Sequence, residues 1–136
     1  MRGRDDRQQP GLPVGGVYEW YRRGVDLLQG GNPAAAAQLL EHAAEAEPAS
    51  RSVREALARA QFDSGRYVEA AESFRRIVEA NPSEDYAQFG LGLASTRTGD
   101  LRTAVEHLAL AAAMRPDIDH YRAALRGARA GLAARK

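Results

Sequence analysis

Apolar and small residues recur along this chain at intervals of three and four, and the pattern stops and restarts at regular places. Trp20, Gly24, Leu27 and Leu28 fall on one side of a helix before Gly30 and Gly31 end it. The spacing marks one buried stripe, and glycine accepts the left-handed conformation that closes a helix C-terminus. Asn32 and Pro33 then open a second helix. Asparagine can accept free N–H groups of a first turn, and proline at the first helical position forfeits no hydrogen bond. A shift of 34 residues lays this pair on two further copies: Gly31 meets Gly65 and Gly99, Ala36 meets Ala70 and Ala104, and Pro48 meets Pro82 and Pro116. Gly24, Ala58 and Gly92 coincide, as do Leu40, Phe74 and Leu108, and Ala46, Ala80 and Met114. Residues 17–50, 51–84 and 85–118 are therefore three helix-turn-helix repeats without insertions.

Within each repeat the small residues at Gly24, Ala58 and Gly92, and at Ala36, Ala70 and Ala104, let facing helices approach closely. Leu40, Phe74 and Leu108 are expected to fill the gap between repeats. Asp100 is expected to cap the second helix of the third repeat, and Ser50, Ser83 and Asp117, beside the repeat-ending prolines, the first helices that follow them.

These residues carry a resemblance to the tetratricopeptide repeat family, whose Trp, Leu-Gly, Tyr, Ala, Phe and Pro positions are spread over one repeat. The likeness covers residues 17–118. Trp20, Gly24, Ala36, Leu40 and Pro48 match in the first copy; Leu57, Gly65, Tyr67, Ala70, Phe74 and Pro82 in the second; Leu91 and Gly92 in the third. Arg23, Leu27, Arg54, Gln61, Gln88 and Ser95 depart from the pattern and are expected to weaken single contacts. The implied fold is all-α: an α-solenoid of three repeats wound as a right-handed superhelix, closed by a C-terminal capping helix. Residues 119–136 supply that helix and a basic tail, with Tyr121, Leu125, Ala128 and Leu132 on one face and Arg122, Arg126 and Arg129 on the other. Residues 1–16, charged and rich in glycine and proline, are expected to be a disordered arm.

Composition removes several alternatives. Nineteen basic and eighteen acidic residues leave a net charge of +1, too little for a field that gathers nucleic acid or an anionic membrane. The absence of cysteine excludes disulfides, thiolate zinc sites and thiol nucleophiles. No apolar run reaches the roughly 20 residues of a membrane span and no leader is evident, so a cytoplasmic location is expected. His42, His107 and His120 lie in separate segments without metal-ligand spacing, so packing or solvated histidines are expected and no metal or cofactor is assigned. Asp117 and Asp119 suit a helix N-terminus without a cation, and Gly11–Gly16 lacks the Lys-Ser/Thr of a phosphate loop. No catalytic constellation stands out, and an enzyme is not expected.

The resemblance implies that first helices line a concave groove that binds another protein or a peptide segment. Its geometry selects Tyr18, Tyr21, Val25 and Leu28; then Glu55, Arg59, Phe62 and Asp63 beside Ser52; then Tyr86, Phe89, Leu93 and Arg97 beside Thr96. Five of the nine aromatic residues fall there, although Phe62 and Phe89 could equally pack between helices. Relatives that clamp chaperone C-terminal carboxylates do so with lysine and asparagine. Tyr21, Val25 and Arg59 hold the matching places here, which argues against that ligand. A scaffold or adaptor is the first reading, and self-assembly into a homodimer or head-to-tail oligomer the alternative. Residues 119–136 hold five basic groups and one acidic, and residues 17–50 two basic and five acidic, a polarity that suits either an acidic partner or such assembly. No aromatics interleave the arginines, which argues against nucleic acid.

Overall fold

The computed structural model describes residues 15–135, and among these it has seven helices and no strand. All but Gly15 and Gly16 of the expected arm lies outside the described residues. The chain divides after Ser64 into two compact units, a boundary that falls inside the second repeat.

The first unit holds α1 (Val17–Gln29), α2 (Pro33–Ala46) and α3 (Arg51–Asp63). Its core gathers Trp20 and Leu28 from α1, Ala36, Ala37, Leu40 and Ala43 from α2, and Val53, Leu57 and Ala60 from α3. The close approach of α1 and α2 needs Gly24: a Cβ there would lie 2.6 Å from Leu40 Cγ. Leu40 therefore fills the seam inside its own repeat, a correction to the expected gap between repeats. The α1–α2 turn places Gly31 at φ 85°, where other residues are strained. Ser50 caps α3 by accepting a hydrogen bond from the Val53 N–H at 3.3 Å. Asn32 occupies the N-cap place of α2 without a side-chain capping bond.

The second unit holds α4 (Tyr67–Ala80), α5 (Asp85–Thr98), α6 (Leu101–Met114) and α7 (Asp119–Ala134). The glycine seam recurs, since a Cβ on Gly92 would meet Leu108 Cγ at 2.5 Å. Phe74 does reach the next repeat, lying where a Cβ on Gly90 would stand 2.5 Å from its ring. The final helix lays Tyr121, Leu125 and Ala128 against Ala104, Leu108 and Ala111 of α6. Burying such a leucine contributes about 1.5–3 kcal/mol, which is how one added helix closes the unit.

Capping in this unit follows expectation at Asp100, which accepts from the Thr103 N–H at 3.3 Å, but not at the other two places. The N-caps of α5 and α7 are Glu84 and Ile118, neither with a side-chain capping bond. Ser83 instead donates its hydroxyl (2.8 Å) and backbone N–H (3.3 Å) to Asn81 Oδ1, tightening the proline turn. Asp117 is taken by a bidentate pair with Arg115 at 2.8 and 3.0 Å.

Candidate functional site

The residues selected for the binding face separate by burial. On α1, Tyr18 is 70% exposed, Tyr21 and Val25 are half-buried against the core, and Leu28 is buried within it. On α3, Arg59 and Asp63 are exposed while Glu55 and Phe62 are half-buried. On α5, Tyr86 is 38% exposed with its ring edge-on to Phe74, Leu93 is half-buried and Arg97 is exposed. Phe89 is buried: it stacks on Tyr121 with ring centroids 4.5 Å apart and meets His120 edge-on at 5.2 Å. Leu28 and Phe89 are therefore core residues rather than surface contacts, a correction to the expected set. The cause for Phe89 is α7, whose Tyr121 stacks on its ring.

His120 was absent from the expected face and belongs beside it. It is exposed, and it lies one repeat length after Tyr86, itself two after Tyr18. Continuing the 34-residue shift past the third repeat would have found it.

Arg97 is held in place. Its guanidinium donates to the Tyr67 hydroxyl at 2.6 Å and lies 5.1 Å from that ring's centroid, a cation–π contact that orders a long side chain before any ligand arrives.

One departure from the family pattern, Gln88, proves to be a structural tie. Gln88 is buried, and its amide donates to the Pro82 carbonyl at 3.0 Å, which can only accept. Its Oε1 then faces His107 Nδ1 at 2.7 Å, so that nitrogen carries a proton. Burial disfavours the charged imidazole and lowers the pKa of His107, against a smaller opposing effect of Glu106. Tyr121 donates to Asp85 Oδ2 at 2.7 Å; burial first, and that hydrogen bond second, push its pKa far above the usual tyrosine range.

Among the described residues no three histidine or carboxylate side chains gather around one point. His42 packs edge-on to Trp20 at 6.4 Å, its buried Nδ1 without a hydrogen-bond partner among the described residues. Asp119 pairs with Arg122, and no helix among the described residues is long and apolar enough to cross a membrane. What the exposed faces offer is aromatic contact beside charges of both signs.

The chain belongs to the tetratricopeptide repeat family, whose model matches residues 21–85 and 55–117. The fold is accordingly an all-α helical-repeat solenoid, and the family is in general a non-catalytic module for protein interaction. No curated protein matches the chain. Among solved structures, the first such domain of human RPAP3 is 19% identical, with a TM-score of 0.77, over 87% of this chain and 93% of that one. The first domain of Spaghetti (RPAP3), bound to the HSP90 peptide SRMEEVD, is 18% identical with a TM-score of 0.80, over 92% of this chain and 99% of that one. A MamA double mutant (RS-1 ArsTM) is 18% identical with a TM-score of 0.81, over 91% of this chain and 67% of that one. At such identities the likeness is one of fold.

Proposed function

We propose that this chain is a non-catalytic cytoplasmic adaptor that holds a peptide or protein segment against the outward faces of its first helices. The reading is carried by Tyr18 and Tyr86, which occupy the same place in their repeats and are 70% and 38% exposed. Covering one such ring gains on the order of 1.5–3 kcal/mol, and tyrosine beside arginine is a combination that anchors interfaces. Tyr21, Val25, Phe62 and Leu93 add half-buried apolar contact. Glu55, Arg59, Asp63 and Arg97 supply charges that orient and select the ligand. The tie from Arg97 to Tyr67 lowers the ordering cost of binding. Micromolar affinity, about −8 kcal/mol, suits so small a set of contacts.

The ligand of the Spaghetti structure does not transfer. Tyr21, Val25 and Arg59 replace the lysine and asparagine places of a carboxylate clamp, so an internal segment is the better fit than a chain terminus.

Affinity capture from the native lysate tests the reading, with the intact protein compared against the Tyr18→Ala, Tyr86→Ala double variant. A partner retained by the intact protein alone, with unchanged circular dichroism, supports it. Equal retention by both overturns the assignment of these faces. Phe89 is unsuitable for this test because its removal unsettles the core.

A further inference from the structure

We propose that copies of this chain associate head to tail, the arginine face of α7 in one copy meeting the acidic α1–α2 segment, residues 17–50, of another. This goes beyond the adaptor reading and uses different residues. It rests first on which ionic groups are already partnered. In the second unit the carboxylates are largely taken: Glu69 by Arg66, Glu72 by Arg76, Asp117 by Arg115, Asp119 by Arg122, and Asp85 by Tyr121. Arg126 and Arg129 are left over on α7, exposed and without a hydrogen-bond or ion-pair partner among the described residues. In the first unit the surplus has the opposite sign. Glu19, Asp26, Glu45 and Glu47 are exposed and likewise unpaired among the described residues.

Their places in the repeat supply a second reason. Val53, Leu57 and Ala60 bury one face of α3 against α2, and Tyr121, Leu125 and Ala128 bury the same face of α7 against α6. At that register α1 carries Glu19, Arg23 and Asp26 instead. At the register where Gly24 and Gly92 receive a leucine from the following helix, α7 carries Arg126, and Arg129 stands at the place of Leu27 and Ser95. Each is a face that the repeat covers with a neighbouring helix and that here bears charge.

Arg22 and Arg23 also lie on α1, so the acidic excess belongs to the α1–α2 segment as a whole: five acidic and two basic groups over residues 17–50. Residues 119–136 hold five basic groups against one acidic. The net charge of +1 leaves little overall repulsion to keep copies apart. The contact is heterologous, so it leaves both faces open for further copies and yields a ring or an open chain. Exposed ion pairs are weak and screened by salt, which confines assembly to concentrated protein at low ionic strength.

Sedimentation velocity on the full chain tests this between about 5 and 300 µM protein, at about 20 mM and 300 mM NaCl. The expected result is a mean mass that rises about two-fold with concentration at low salt and returns to the monomer value at high salt. Arg126→Glu with Arg129→Glu, and separately Glu45→Arg with Glu47→Arg, should each stay monomeric with unaltered helicity, while mixing the two variants restores assembly. A monomer throughout, or an assembly that survives both charge reversals, overturns the proposal. A monomer that binds a polyglutamate peptide through Arg126 and Arg129 also overturns it, and gives that face to an acidic partner. The Tyr18→Ala, Tyr86→Ala variant should assemble as the intact protein does, which separates this outcome from the fate of the adaptor reading.

Discussion

The two compact units are made from the same repeat and finished differently. In the first, α2 brings Ala36, Ala37, Ala43 and Ala44 to a core whose bulk comes from Trp20, Leu28, Leu40 and Leu57. Its polar finish is incomplete: His42 Nδ1 is buried without a partner among the described residues, and four exposed carboxylates are likewise unpaired. The second unit stacks Phe89 on Tyr121 and ties its helices by Gln88 to His107, Asp85 to Tyr121, and Arg97 to Tyr67. The repeat thus specifies how helices pair, through glycine facing leucine in both units. How the remaining polar groups are satisfied is free to vary, and that decides where the structure is pinned and where charge is left for a partner.

Substitutions can break or sharpen this contrast. The largest effect is expected at Phe89→Ala, which removes the stack on Tyr121 and should cost about 3–5 kcal/mol in urea denaturation. A loss below about 1 kcal/mol would mean that the aromatic stack does not distinguish the second unit. Gly24→Val and Gly92→Val should each cost about 1–3 kcal/mol, because both drive a branched side chain into a leucine. Similar losses at the two sites would show the seam to be common to both units, and unequal losses would extend the contrast to it.

His42→Leu, which installs the residue that Leu110 supplies at the same register of the third repeat, should raise stability by about 1 kcal/mol. No gain in melting temperature would mean that the buried Nδ1 carries no penalty.

The smallest effect is a pH dependence confined to the second unit. The folded pKa of His107 lies below its ordinary value of 6.5, so below that pH the unfolded chain takes up a proton that the folded chain refuses. Stability should therefore fall as pH drops from about 7.5 to 5.5. His107→Gln keeps an amide donor for Gln88 and removes the titration, so its melting temperature should vary less over that range. An unchanged slope would assign the dependence to another group. The depressed pKa of Glu69, due first to its hydrogen bond with Arg66, acts only at more acidic pH, where protonation removes that interaction.

Much of this was legible in the chain itself. The 34-residue shift located six of the seven helices among the described residues and helical spacing the last, while the helix-ending glycines and the caps at Ser50 and Asp100 follow from local chemistry. Ser83 and Asp117 misled because a capping residue type beside a proline turn does not say where the helix begins. Asn81 and Arg115 compete for those side chains.

For the candidate face, spacing identified the helices, and the family resemblance implied the register on which Tyr18, Arg59, Tyr86 and Arg97 are exposed. Neither could say which aromatics stay wet, because burial depends on what arrives from elsewhere in the chain. Phe89 is lost to the surface when α7 lays Tyr121 upon it, and Gln88, a polar departure from the pattern, becomes a satisfied tie only because His107 and the Pro82 carbonyl converge on it. Periodicity is a property of neighbours along the chain and so determined the helices, their pairing and the charge excess of the first and last segments. The division into exposed contacts, buried stacks and unpaired charges is a property of neighbours in space, and only the tertiary structure could decide it.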